Sequence, residues 1–137
     1  MLIFELAIYG IVIQGKGGVV TTANPAFLHD IGYSLEQIQG KNIFDPANFG
    51  IFRDVDAVQK LSEELISTER ITDRELTIYQ ADGHPITMLI SSQLIQLSGE
   101  PHVLTIGTDI TERKQNETRI LNLNAELNQK TDRKSVV

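Results

Sequence analysis

The sequence predicts an α+β fold, with a five-stranded antiparallel sheet, a helical crossover and a separate C-terminal helix. Two short β-branched segments come first, then about 50 residues of helical patterns, then three alternating segments divided by tight turns. At 137 residues, the chain is long enough for one domain with a buried core. We expect that domain to occupy residues 1–111, and an amphipathic helix to occupy residues 112–137.

The first two strands are predicted at Gly10–Gln14 and Val19–Ala23, which flank a gap that contains glycines. This pattern is typical of a β-hairpin. The gap resembles a phosphate-binding loop only superficially. Val19 and Val20 stand where that loop requires Gly-Lys, and Lys16 precedes the glycines. We therefore interpret the gap as a turn between two strands.

Two short helices are predicted next. Asn24 is a suitable N-cap, Pro25 suits the first helical position, and Gly32 suits the end of the first helix. Ser34 and Gln37 have the spacing of a capping box, which predicts a second helix of one turn.

The longest helix of the domain is predicted from about Arg53 to Thr68. Aliphatic residues recur there at intervals of three and four, which indicates a stripe that faces the core: Val55, Val58, Leu61 and Leu65.

Three strands are predicted after this helix, at Arg74–Gln80, from Ile86 to about Leu97, and at His102–Ile110. Asp82-Gly83 and Ser98-Gly99 supply the turns between them. Antiparallel pairing of these strands with the N-terminal hairpin gives the five-stranded sheet.

The C-terminal segment from Glu112 to Lys130 contains no glycine or proline. Its apolar residues are spaced three and then four apart, as in the seam of a coiled coil: Ile120, Leu123 and Leu127. An isolated helix of this length is marginal in water, so we expect a partner helix and a homodimer.

Charge and composition exclude several classes of protein. The net charge is −6, and residues 1–111 hold six basic and fourteen acidic residues, so that nucleic-acid binding is disfavoured.

No apolar run approaches the ~20 residues of a membrane span. Met1 to Ile13 lacks a basic N-terminal region, so we interpret it as folded structure rather than a signal peptide. Because the chain has no cysteine, disulfides and thiolate sites are excluded.

The sequence contains no catalytic constellation. Ser91 and Ser92 lie outside any Gly-x-Ser-x-Gly motif, and the acidic pair Glu63-Glu64 belongs to the polar face of a helix. We therefore expect a regulatory domain rather than an enzyme.

Four motifs in this order resemble those of PAS sensor domains, from about Phe4 to Thr111. They are GIVIQGKGGVVTTANPAF, IGYSLEQIQGKNIFD, YQADGHPI and IGTDITERKQNE. The resemblance implies a cytoplasmic sensory module that controls a C-terminal effector, either a histidine kinase or a diguanylate cyclase. It also implies that Asp109, Ile110 and Thr111 relay a signal from the sheet to the following helix. The alternative is a dimerisation scaffold that binds no small molecule.

Members of the PAS family bind haem, flavin, small metabolites or no ligand. The lack of cysteine rules out chromophores linked through that residue, and the long helix lacks the histidine that a haem site of this family would use. His29, His84 and His102 have no metal-site spacing, so no metal site is expected. A noncovalent flavin or small organic ligand stays open. Its pocket would lie between the long helix and the sheet, unless the same residues simply fill the core: Val58, Leu61, Ile78, Met88, Ile90, Leu104 and Ile106.

Overall fold

The structure, a computed structural model, describes residues 8–136, with side chains for residues 8–127. Residues 1–7, which begin the segment interpreted above as folded rather than as a signal peptide, lie outside the described residues, as does Val137. The elements are β1 (Gly10–Gln14), β2 (Val20–Ala23), α1 (Pro25–Ile31), α2 (Leu35–Ile38), α3 (Val55–Thr68), β3 (Arg70–Tyr79), β4 (Pro85–Leu97), β5 (Glu100–Asp109) and α4 (Thr111–Val136).

The five strands form one antiparallel sheet in the order β2-β1-β5-β4-β3. The predicted fold class is therefore confirmed, and α4 follows the sheet as the predicted C-terminal helix. The two hairpins, β1-β2 and β3-β4, are joined side by side because β5 pairs with both β1 and β4. The last strand is thus in the centre of the sheet, and α4 leaves from that centre.

The glycine-containing gap is a turn, as predicted. Residues Lys16–Gly18 form one 3-10 turn between β1 and β2. Gly17 and Gly18 have φ angles of 74° and 77°, in the left-handed region that glycine adopts without strain. The glycines are needed for the shape of this turn.

The caps predicted for α1 and α2 are present. The Asn24 side chain accepts a hydrogen bond from the Phe27 N–H (3.0 Å), and Gly32 ends α1 with a φ of 76°. The Ser34 hydroxyl accepts from the Gln37 N–H, while the Gln37 side chain accepts from the Ser34 N–H. Local sequence signals therefore determine both helices.

The filled part of the core lies where α1, α2 and the chain before α3 cover the sheet. Its buried side chains are Val12, Val20, Ala23, Phe27, Ile31, Ile38, Ile43, Ile51, Phe52, Ile78, Ile86, Met88 and Ile90. None of these residues comes from α3, whose apolar stripe is only partly buried. The longest helix of the domain therefore covers the sheet without filling the space beneath it.

The structure differs from the sequence prediction in the apolar stripe of α3 and at the start of β3. Val55 was assigned to the stripe that faces the core, but its side chain is 54% exposed. Each step of three residues turns 60° around a helix, so two such steps place Val55 about 120° from Leu61. Strand β3 begins at Arg70 instead of Arg74. An irregularity between Ile71 and Arg74 interrupts the alternation from which the strand was predicted.

Candidate functional site

A cavity of about 230 Å³ lies between α3 and the inner face of the sheet. Most of its lining is apolar. The apolar side chains come from the segment before α3, from α3 and from the strands: Phe44, Val58, Leu61, Leu65, Ile66, Ile71, Leu76, Ile90, Leu94 and Val103. The cavity occupies the space that the partly buried helix leaves open.

Polar contacts hold α3 in this position. Both guanidinium ends of Arg74 on β3 donate to the Glu64 carboxylate on α3. These hydrogen bonds hold the pKa of Glu64 below its ordinary value of 4.5. The Thr68 hydroxyl donates to the Arg70 carbonyl, and the Leu94 N–H donates to the Glu69 carbonyl. The C-terminal half of α3 is therefore fixed to β3 and β4 at its margin, and apolar packing beneath the helix stays incomplete.

The cavity also has polar lining residues, three of which are buried on neighbouring strands. Gln14 on β1 is 6% exposed, and its Nε2 donates to the Gly18 carbonyl (2.8 Å). The Ser92 and Thr105 hydroxyls, on β4 and β5, share a hydrogen bond of 2.7 Å. Asn42 and Ser62 complete the polar lining. Not one of the described residues that line the cavity carries a charge.

The predicted pocket residues are distributed over three places. Val58, Leu61 and Ile90 line the cavity. Ile78 and Met88 are 2% and 1% exposed, and belong to the filled core beside it.

Leu104 and Ile106 were predicted to wall the pocket, and this was wrong. They lie on the outer face of the sheet, where Ile106 is 41% exposed. Thr105 and Gly107 face inward instead, because they pair with the buried Val12 and with Gly10. A Cβ atom at Gly107 would lie 3.0 Å from the Met88 Cε and 3.4 Å from the Ile90 Cγ2, so a larger residue there would need these side chains to shift. The more apolar set of β5 residues is therefore the outer set.

Gln14, Ser92 and Thr105 were missed as lining residues. Each lies at an inward position of its strand, and they are brought together because Gln14 pairs with Val103 while Thr105 pairs with Ser92. They could have been identified from the alternation of inward and outward positions along each strand, combined with the register of β5. That register depends on pairing between strands far apart in the sequence.

Asp109, Ile110 and Thr111 connect the sheet to α4. The Thr111 hydroxyl donates to the Asp109 carboxylate (2.6 Å) and accepts from the Thr87 N–H on β4 (2.8 Å). The Thr111 N–H also donates to Asp109 (2.9 Å). The N–H of Ile110, a buried residue, donates to the Thr87 carbonyl (2.8 Å). The first turn of α4 is therefore attached to β4 through both backbone polar groups of Thr87, a partner that the sequence did not indicate.

Strand β4 runs from this junction to the cavity. Thr87 contacts α4, while Ile90 and Ser92 on the same strand line the cavity. Three residues of a strand span about 10 Å, so Ile90 lies one short stretch of backbone from the junction. A displacement of β4 at the cavity can therefore reach the start of α4 along a hydrogen-bonded strand.

A second carboxylate lies close to the junction. The pKa of Asp30, on α1, is raised from 3.8 to about 6; burial is the largest cause, and the negative charge of Asp109 adds to it, while His29 opposes it. Two acidic groups thus repel each other where α1 approaches the end of β5.

The apolar seam predicted in α4 is exposed to solvent. Ile120, Leu123 and Leu127 are 57%, 52% and 60% exposed. Near the start of the helix, the Lys114 ammonium lies 3.3 Å from the Glu75 carboxylate on β3. Beyond that contact, the helix carries its apolar residues away from the sheet.

The histidines do not form a metal site in the part of the chain that is described. His84 lies 3.5 Å from Asp82 in the β3-β4 turn, and the His102 ring contacts the Glu100 carbonyl. Across residues 8–127, whose side chains are described, no three acidic, histidine or cysteine side chains are grouped to hold a metal ion. Over residues 8–136, no helix is both long enough and apolar enough to span a bilayer.

Comparisons with known proteins agree on the fold. Residues 8–112 match the family model described as PAS domain. A domain of a sensory box sensor histidine kinase/response regulator from Geobacter sulfurreducens is 25% identical, with 79% of this chain and 89% of that chain covered and a TM-score of 0.64. The PAS domain of an HTR-like protein from Haloarcula marismortui is 24% identical, with 79% and 86% covered and a TM-score of 0.65. A PAS domain from Colwellia psychrerythraea is 21% identical, with 81% and 93% covered and a TM-score of 0.68. No curated protein sequence matches this chain significantly.

Proposed function

The chain belongs to the PAS domain family, and on that premise we propose that it relays a change in its cavity, through residues 109–111 and α4, to a C-terminal histidine kinase. Membership of the family makes it a sensory signalling module. The ligand, the effector and the dimer are the further parts of the proposal.

The observation that carries the relay is the Thr111 hydroxyl, which is hydrogen-bonded to Asp109 on one side and to Thr87 on the other. Because these contacts join the first turn of α4 to a strand that also lines the cavity, a ligand that displaces β4 changes the geometry at the start of the helix. Coupling between two sites requires an element that both of them contact, and β4 has this property.

A histidine kinase is the effector that we favour, with a diguanylate cyclase as the alternative. The Geobacter sulfurreducens structure, a domain of a sensor histidine kinase, is among the more similar solved structures. The exposed residues Ile120, Leu123 and Leu127 support a parallel pair of α4 helices, through which two chains would act together. We place the module in the cytoplasm with its effector, and we assign any kinase chemistry to residues outside this chain.

A dimerisation scaffold without a ligand is the second candidate, because the exposed α4 residues are explained equally well by a permanent interface. The two candidates differ in what happens at the cavity. A scaffold leaves the cavity without a function, whereas a sensor changes the mobility of α4 when the cavity is filled.

The relay is tested by replacing Thr111 with valine, which keeps the shape of the side chain but removes the hydroxyl. We expect the amides at the start of α4 to exchange hydrogen at least about fivefold faster in Thr111→Val, since a lost hydrogen bond is worth roughly 1 kcal/mol. In a fusion of residues 1–137 to the catalytic region of a histidine kinase, the same variant should lose ligand-dependent autophosphorylation. Asp109→Ala should also speed hydrogen exchange at the start of α4 and reduce ligand-dependent autophosphorylation.

Thr118→Val is the matched control, because the Thr118 hydroxyl donates only to the Lys114 carbonyl of its own helix. Exchange at the start of α4 and regulation of the fused kinase should stay as in the unmodified chain. If Thr111→Val behaves like this control and leaves regulation of the fused kinase intact, the relay does not pass through the Thr111 hydroxyl.

A further inference from the structure

We propose that the cavity binds a small uncharged alcohol or phenol, with its hydroxyl group between Gln14 and the Ser92–Thr105 pair. This inference rests on the proposed function and deepens it by naming the chemical class of the ligand. Size, charge and hydrogen bonding each support it.

The volume limits the size of the ligand. Cavities for drug-sized molecules measure about 300–1,000 Å³, whereas this one measures about 230 Å³. A cavity of about 150 Å³ holds one benzene molecule, so in proportion this one holds roughly nine non-hydrogen atoms. One ring with a short substituent has that size. The tricyclic ring of a flavin is larger than this volume.

The lining determines the charge of the ligand. The described lining residues provide ten apolar side chains, a glycine and five uncharged polar side chains. An ion transferred into such surroundings loses its hydration and finds no opposite charge to replace it. Arg74 is a cation beside α3, and both of its guanidinium ends are already bound to Glu64. A carboxylate or an amine is therefore a poor ligand, and a neutral molecule is favoured.

Gln14 supplies an acceptor for the ligand. Its amide nitrogen donates to Gly18, but among the described residues no group donates to its side-chain oxygen. Within the same residues, no fully enclosed side-chain polar atom lacks a partner, so this oxygen must contact open space. Because Gln14 is 6% exposed and lines the cavity, that space is the cavity.

Ser92 and Thr105 supply a donor. Their two hydroxyl groups have two protons, of which one is used in the hydrogen bond between them. The other proton is available to an acceptor in the cavity. Thr105 is a diagonal neighbour of Gln14 on the inner face, since Gln14 pairs with Val103. Diagonal neighbours are about 7–8 Å apart, close enough for one ligand atom to contact both side chains.

A hydroxyl group meets both requirements at once. It donates its proton to the Gln14 oxygen and accepts from the Ser92–Thr105 pair. A hydrocarbon makes neither bond, and a ketone or an aldehyde makes only the second. The polar lining therefore favours an alcohol or a phenol over a hydrocarbon, a ketone or an aldehyde of the same size.

The test uses the purified 137-residue chain and three probes of eight or nine non-hydrogen atoms: 4-ethylphenol, ethylbenzene and benzoate. Isothermal titration calorimetry at pH 7 should give a dissociation constant for 4-ethylphenol at least tenfold lower than that for ethylbenzene. The charged benzoate, which has as many non-hydrogen atoms as 4-ethylphenol, should not bind at the same concentrations. Equal binding of the phenol and the hydrocarbon would overturn the assigned role of the hydroxyl, and tight binding of the benzoate would overturn the neutral class.

Two variants locate the polar contacts. Gln14→Leu and Thr105→Val should each weaken the binding of 4-ethylphenol at least tenfold, which is a loss of roughly 1.4 kcal/mol in binding free energy. The affinity for ethylbenzene should change by no more than about twofold. Retained binding of the hydrocarbon shows that the variants are folded. Gln93→Leu is the matched control, because Gln93 pairs with Leu104 on the outer face and should change neither constant.

The readout separates this inference from the proposed function. If 4-ethylphenol binds as expected but leaves hydrogen exchange in α4 unchanged, the ligand class stands and the relay fails. If all three probes fail to bind while Thr111→Val still speeds hydrogen exchange at the start of α4 and changes the basal activity of the fused kinase, the relay stands and the ligand class is wrong.

Discussion

Asn24 joins the first helix to the sheet through one buried side chain. Its Oδ1 accepts hydrogen bonds from the N–H groups of Phe27 (3.0 Å) and Ile11 (2.8 Å), and its Nδ2 donates to the Tyr9 carbonyl (2.9 Å). The residue has no exposed surface. A residue selected as a helix cap from the sequence is therefore also a link between α1 and β1.

Replacing Asn24 with alanine should lower the free energy of unfolding by about 2–4 kcal/mol. The loss of a cap costs about 1 kcal/mol, and the buried Phe27 N–H and the partly buried Ile11 N–H, left without an acceptor, cost more. Ser34→Ala is the comparison, because that cap is exposed and should cost about 0.5–1 kcal/mol. Urea unfolding followed by circular dichroism measures both. Equal losses would show that Asn24 acts only as a cap.

Asp30 is a destabilising residue at neutral pH. Burial and the negative charge of Asp109 raise its pKa from 3.8 to about 6, so the folded chain binds this proton more tightly than the unfolded chain does. Protonation therefore favours folding. The penalty for the charged form is complete above about pH 6, and it disappears as the pH falls towards 3.8.

Asp30→Asn should raise the free energy of unfolding at pH 7.5 by about 1–2 kcal/mol. The full shift corresponds to about 3 kcal/mol, which we reduce because the side chain is only half-buried. The advantage of the variant should decrease between pH 6 and pH 4. Urea titrations of both proteins at pH 7.5, 6, 5 and 4 measure this dependence, and an advantage that is independent of pH would argue against the charge as its cause.

At the scale of the element, α4 combines a polar first turn with an exposed apolar seam. Lys114 and Glu75 form a surface ion pair of the kind that contributes little to stability. The seam residues Ile120, Leu123 and Leu127 are all more than half exposed in the single chain. A second copy of the helix would bury them, as the 3-4 spacing predicts.

Leu123→Asp should therefore weaken dimerisation of the chain at least tenfold, because a charge at a seam position is desolvated in the helix pair. Leu121→Asp is the matched control. Leu121 is 68% exposed but lies on a different side of the helix, about 130° from the seam at 100° per residue. Sedimentation equilibrium gives both association constants. If a chain that ends at Thr111 dimerises as tightly as the full chain, the interface lies elsewhere.

Helix α3 explains why the candidate cavity exists. Its apolar stripe satisfies the sequence pattern of a core helix, yet none of its residues is fully buried. At its margin the helix contacts β3 through the Glu64–Arg74 ion pair and the Thr68–Arg70 hydrogen bond, and it does not fill the space beneath it. Periodicity indicates which face of a helix points inward, but it does not indicate how closely that face approaches its neighbour.

At the scale of the molecule, β4 connects the two halves of the proposed mechanism. It pairs with β3 and β5 along its length, lines the cavity at Ile90, Ser92 and Leu94, and holds α4 at Thr87. Because a paired strand is stiff along its axis, the cavity and the start of α4 share one structural element. The C-terminal helix therefore receives its input from the centre of the sheet.

The sequence by itself determined the local elements. The caps at Asn24 and Ser34, the turn glycines and the alternation of β4 at Ile86, Met88 and Ile90 depend on residues close together in the chain, and the structure has them where they were predicted. The polar junction at Asp109 and Thr111 was found for the same reason. These features depend only on residues a few positions apart, so they can be predicted from one sequence alone.

Only the tertiary structure decided which face of β5 points inward and what lines the cavity. Leu104 and Ile106 are the more apolar pair, but close packing at Gly10 and Gly107 leaves room inside only for the smaller set. Gln14, Ser92 and Thr105 meet through pairings between residues 13 or more positions apart, and Thr87 meets Thr111 in the same way. The register of distant strands is set by the sum of the packing across the whole sheet, which no local pattern specifies.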